Sequence, residues 1–147
     1  MKDNKAIYLG ELTEREAKEF DKMAVILNTK HQAISKLNTR MVQHVLIEEL
    51  EELKQIQTVE KERVALLEDL SLNGNDLNNK TVLETKLGED GARNFMPLYS
   101  NFQKSFARVI SLNSISRALL KHSLAFIRQN INILTEGGKR KLVDRKA

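Results

Sequence analysis

The chain has 147 residues, a formal net charge of +4, 41% hydrophobic and 30% charged side chains, one Pro, six Gly and no Cys. That is enough for one domain with a useful core, and the balance is that of a soluble helical protein. It excludes disulfides and thiolate chemistry, a membrane-spanning helix and, in the opening MKDNKAIYLGEL, the apolar core of a secretory signal, so a cytoplasmic protein is expected.

Thr13 followed by Glu16 has the spacing of a capping box and predicts a helix start at residue 13. No Gly or Pro follows until Gly74, which predicts one helix over 13–70, roughly 85 Å long at 1.5 Å per residue. Along it Phe20, Met23, Leu27, Ile34, Leu37 and Met41 keep a 3-4 spacing, with Lys30 and His44 as polar members. After Met41 the stripe breaks. Leu46, Leu50 and Leu53 lie on another side, and Ile56 and Val59 drift back, so a kink, a wrap or a change of partner falls at 41–47.

Residues 71–94 read as a loop region, with Asn73-Gly74 as a stop and two helical turns over Thr81 to Leu87 closed by Gly88. A second long helix is predicted over 95–136, starting near Arg93 to Pro97 and ending at Gly137-Gly138. Nothing alternates as a strand does, and nothing repeats. The expected fold is all-α, a single domain built as a long antiparallel, coiled-coil-like hairpin with a short middle helical segment.

Charge suggests a pairing. Residues 48–69 hold eight acids against three bases, and 93–135 hold no Asp or Glu in 43 residues. A hairpin would set 48–69 beside about 95–117. Exposed pairs contribute only about 0.2–1 kcal/mol each, so the pattern chooses register more than stability. The stability has to come from burying Phe95, Tyr99, Phe102, Phe106, Val109, Leu120, Leu124, Ile127 and Ile131, which share one face of the second helix at 100° per residue.

A second apolar stripe lies roughly 120° round that helix: Leu112, Ile115, Leu119, Phe126 and Ile133. Ser116, Ser123 and Asn130 fall between the two stripes, and Arg108, His122 and Gln129 would make a polar rim. One stripe suffices to bury a helix in its own protein. The second needs a further partner: residues 79–87 or 1–12 of the same chain, a homodimer seam, or the amphipathic segment of another protein laid against it.

Catalytic chemistry finds no footing. The residues three before His31, His44 and His122 are Asn28, Met41 and Leu119, not the carboxylates of a di-metal bundle. Neither a zinc motif nor a phosphate loop is present; Gly88-Glu89-Asp90-Gly91 carries two acids and lacks the Lys-Ser/Thr pair. No nucleophile, base and orienting group assemble. The chain is therefore expected to be no enzyme and to use no cofactor or metal. The basic excess sits in the last eleven residues, with five bases against Asp144, and everything before Gly137 sums to zero. Residues 137–147 read as a basic, solvated tail. The cations of 93–135 are spread out and the aromatics lie on the core stripe, so nucleic-acid binding is not expected.

The segment Leu112-Asn113-Ser114-Ile115-Ser116-Arg117-Ala118-Leu119-Leu120-Lys121-His122-Ser123-Leu124 resembles the C-terminal helix of FlgN-type flagellar export chaperones. That family shows Asn-x-x-Asn-x-x-Leu-Leu followed by a Ser-Leu pair. Asn113, Leu119, Leu120, Ser123 and Leu124 match, and Ser116 stands where the second Asn is usual. Leu53 to Arg63 followed by Leu66-Leu67 looks like the end of the family's first long helix, and the likeness covers roughly residues 20–135. It implies a cytoplasmic chaperone that binds hook–filament junction (hook-associated) proteins through its C-terminal helix, prevents premature assembly and delivers cargo to the flagellar type III export apparatus. Cargo would then lie on Leu112, Ile115, Ser116, Leu119, Ser123, Phe126, Asn130 and Ile133. Relatives often carry an aromatic residue after the helix where this chain has Lys139-Arg140-Lys141, so no residue is assigned to the export gate. The competing readings are a structural coiled-coil homodimer or scaffold and a basic nucleic-acid-associated helical protein.

Overall fold

The computed structural model describes the backbone of residues 2–146 and the side chains of residues 4–119 and 121. Four α-helices and one 3-10 turn follow in order: α1 (Lys2–Ser35), α2 (Thr39–Asp69), the turn Gly74–Asn78, α3 (Lys80–Leu87) and α4 (Glu89–Lys146). No strand occurs among the described residues. The fold is all-α.

The stretch read as one helix over 13–70 is two. α1 starts at Lys2 and ends at Ser35, where Asn38 N–H reaches back to the Ala33 carbonyl and Leu37 N–H to that of Ile34, both at 3.0 Å. Leu37 takes φ 52° to make this turn. Such a left-handed cap usually uses Gly, which is why no Gly marks the break. Asn38 then caps α2 by accepting from Met41 N–H at 3.1 Å. Ser71, at φ 55°, ends α2 with the same pattern, Leu72 N–H to Leu67 O at 2.9 Å.

Thr13 is not a cap. It is 1% exposed inside α1, where its hydroxyl donates to the Leu9 carbonyl at 2.7 Å. Leu9, Thr13, Glu16, Phe20, Met23, Leu27, Lys30 and Ile34 form one unbroken 3-4 series, and every member is buried. α1 is thus the central helix, and its two flanks hold different partners.

On one flank α1 and α2 form an antiparallel hairpin, joined by Lys5–Asp69 at 2.7 Å, Arg15–Glu62 at 4.0 Å and Lys30–Glu49 at 3.0 Å. On the other flank α4 runs parallel to α1. Gly91 lies against Ala6, Leu98 against Gly10, Ser105 donates to Asp21 at 2.9 Å, and the Leu112 carbonyl accepts from His31 Nε2 at 2.9 Å. A Cβ on Gly10 or Gly91 would come within 3.1 Å of a neighbouring side chain, so these glycines let the helices approach closely.

The expected contact of 48–69 with 95–117 is therefore replaced. Among the described residues no Cα of α2 comes within 8 Å of one in α4, because α1 stands between them. The acids of α2 pair with bases of α1 instead.

α4 begins at Glu89, directly after Gly88 at φ 82°. Glu89 and Asp90 suit the positive end of its dipole. Pro97 therefore lies within the helix rather than in its first turn, on an exposed position where the orphaned carbonyl one turn back meets solvent. The helical backbone also passes Gly137-Gly138, where a stop was expected, and runs to Lys146. The basic-tail reading of 137–147 otherwise lies outside the described side chains.

Two apolar clusters fill the bundle. At the α3 end Leu9, Leu67, Leu72, Leu77, Leu83, Leu87 and Phe95 pack together. Farther along, Phe20, Met23, Leu27, Ile56 and Phe102 form the second, with Tyr99, Val109 and Leu112 against it. Phe106, expected in the core, is 46% exposed although its ring packs on Phe20 at 5.4 Å. It sits at the mouth of the gap between α2 and α4.

Candidate partner-binding surface

The platform beneath α4 is organised by a buried ion pair that the capping-box reading concealed. Glu16, from the central series of α1, is 1% exposed and accepts from Arg63 Nε of α2. The Arg63 guanidinium also lies 4.7 Å above the Phe102 ring of α4, so one side chain ties three helices together. Burial pushes the Glu16 carboxyl above its ordinary value, and Arg63 pulls it partly back. Extending the 3-4 series back from Phe20 to Leu9 would have marked Glu16 as a buried charge in need of a cation.

The sequence-predicted partner residues divide. Leu112 is half-buried and packs against the Phe20–Phe102 cluster, while its carbonyl is held by His31. Ser116 is 1% exposed, and its hydroxyl has no hydrogen-bond partner. Both face the bundle. Ile115 is 46% exposed, and Leu119 is half-buried. Ser123, Phe126, Asn130 and Ile133 lie outside the described side chains.

Two candidate covers for the stripe are placed elsewhere. Of the first twelve residues, Ala6 and Leu9 of α1 pack with Leu83, Leu87 and Phe95 at the far end of the bundle, and residues 79–87, mostly α3, lie at that same end. The parallel register sets His31 at Leu112, so the end of α1 at Ser35 lies level with Ser116. The turn into α2 occupies that same end.

A second apolar surface was only half legible. Leu46, Leu50 and Leu53 of α2, which leave the main stripe in the sequence, face Val109 and Asn113 of α4 across a groove of about 440 Å³ floored by Met23 and Leu27. The groove exists because α1 separates α2 from α4.

Among the described residues no cluster of three or more His, Cys, Asp or Glu is placed to hold a metal ion. No helix there is long and apolar enough to cross a membrane. What the surface offers is apolar area on helices, which suits recognition of another helix.

Comparison with curated proteins and with solved structures finds no match. A family model described as FlgN protein matches residues 1–143, nearly the whole chain. The chain therefore belongs to the FlgN family, the family of flagellar export chaperones.

Proposed function

We propose that this chaperone binds hook–filament junction proteins in the cytoplasm through α4, shielding segments that would otherwise polymerise early, and releases them at the export apparatus. The observation that carries this reading is the end of α1 at Ser35, level with Ser116. The companion helices stop there, while the second apolar stripe continues in sequence through Leu119, Phe126 and Ile133. With Leu112 and Ser116 turned toward the bundle, the docking face narrows to Ile115, Leu119, Ser123, Phe126, Asn130 and Ile133.

A cargo tail disordered on its own would fold along this face, burying roughly 1,000–3,000 Å² and losing conformational entropy as it does so. The acid-free stretch 93–135 adds Arg117, Lys121 and Arg128, which favour an acidic rim on the cargo.

Sedimentation tests this reading. The isolated chain is expected to run as a monomer and to shift to a one-to-one complex when a purified junction protein is added. A tight dimer that ignores the junction protein would instead support the homodimeric scaffold.

A further inference from the structure

A second hollow lies between the opening turns of α1 and those of α4, at the end of the bundle away from Ile115 and Leu119. It holds about 450 Å³ over a floor of Ala6, Phe95 and Leu98, with Ile7 as its exposed outer lip. Gly10 and Gly91 add no side chain to the walls, so a depression remains above the close approach of the two helices.

The ionisable groups that line it are of one sign: Glu11, Glu14 and Asp90, with no Lys, Arg or His among them. All three are exposed. Lys18 lies 3.5 Å from Glu14 and Arg93 lies 3.3 Å from Asp90, both on side chains open to solvent, and exposed pairs of this kind hold their partners weakly. Glu11 meets no cation among the described residues. The α2–α4 groove is different, because there Glu49 is answered by Lys30 at 3.0 Å and Glu16 by Arg63. That groove names no charge for an occupant. The hollow at α1 and α4 does.

We propose that this hollow docks a helix of another protein that carries an apolar ridge flanked by Lys or Arg. The acids are not gathered to hold a metal ion, and an anionic lipid or nucleic acid would be repelled. An apolar floor between acidic rims is instead the complement of a cationic amphipathic helix. The lining runs over residues 6–14 of α1 and 90–98 of α4, roughly 12 Å at 1.5 Å per residue, which takes about two turns of such a helix. Gly91 and Ile115 stand roughly 36 Å apart along α4, so this partner and a ligand on Ile115 and Leu119 would not compete. The inference is therefore independent of where cargo binds.

The test uses the full chain and a synthetic helical peptide of about 18 residues, with Leu on one face and Lys on both flanks. Amide exchange should show protection gained over 6–14 and 90–98. Fluorescence anisotropy should show binding weakened at least about tenfold in Glu11→Lys with Asp90→Lys, since like charges would then face each other. Both positions are exposed, so this variant should keep its fold. Ile7→Asn, which removes apolar area without a charge, should weaken binding about threefold. Leu119→Asp should leave it unchanged, and a peptide with Glu in place of Lys should not bind. A footprint over 46–53 and 102–109, equal affinity in the charge-reversed variant, equal binding of the Glu peptide, or no binding of the Lys peptide would each overturn the proposal.

Discussion

Replacing Arg63 with Ala lowers the unfolding free energy by about 3–5 kcal/mol, the cost of stranding a buried charge. Against a total of roughly 5–15 kcal/mol for a domain, this removes a large share of the stability. Glu16 is 1% exposed and Arg63 12%, so solvent cannot replace the lost partner. The Phe102 ring loses its cation in the same step.

The sign of the pH dependence follows from the raised Glu16 carboxyl. Its contribution is complete below 4.5 and declines as pH rises through its folded value. Removing Arg63 takes away the group that pulls that value down, so the variant loses more stability between pH 4.5 and 7 than the unmodified chain does. Urea melts at both pH values measure this. Glu16→Leu with Arg63→Met, which removes both charges at similar volume, should recover most of the loss. A loss under about 1 kcal/mol in Arg63→Ala would mean that solvent reaches the pair after all.

The second large effect concerns binding. Ile115→Asp and Leu119→Asp should each weaken the complex with a junction protein by at least about 2 kcal/mol, roughly thirtyfold, because a charge would enter the desolvated centre of the contact. Ile115 is 46% exposed in the free chain, so its thermal melt should barely move. Leu119 is half-buried and should lose a little stability. Ile7→Asp provides the control: that side chain is 61% exposed at the opposite end of the bundle, and its change should leave binding intact. Titration calorimetry with the purified junction protein checks all three.

What the sequence disclosed follows from which devices leave a mark in it. Helical periodicity, the Gly88 stop and the apolar faces around Phe20 and Phe102 are written in residue types, and the all-α class follows from them. The break at 36–38 is hidden because Leu37 takes the left-handed turn without Gly. Thr13 and Glu16 mimicked a capping box only because they were read apart from the heptad series in which both are buried. Pairing by bulk charge put α2 against α4. Exposed acids and bases say nothing of α1, which is lined with small residues at Ala6, Gly10, Ala17 and Ala24 and packs on both sides.

The same physics limits the candidate surface. A stripe drawn at 100° per residue cannot say where a neighbouring helix ends. Leu112 belongs to the stripe by angle and Ser116 lies between the two stripes, yet both fall within the length of α1 and turn to the bundle. Ile115 is the first of its members to remain open. Leu46, Leu50 and Leu53 show the converse: they left the main stripe because they border a groove rather than a seam.

Amide exchange on the chain with a junction protein bound tests the central claim most directly. Protection gained over residues 115–133 of α4, with 46–53 of α2 unchanged, is the expected footprint. Protection gained along the α2 groove, with 115–133 exchanging as in the free chain, would place the cargo elsewhere and contradict the account.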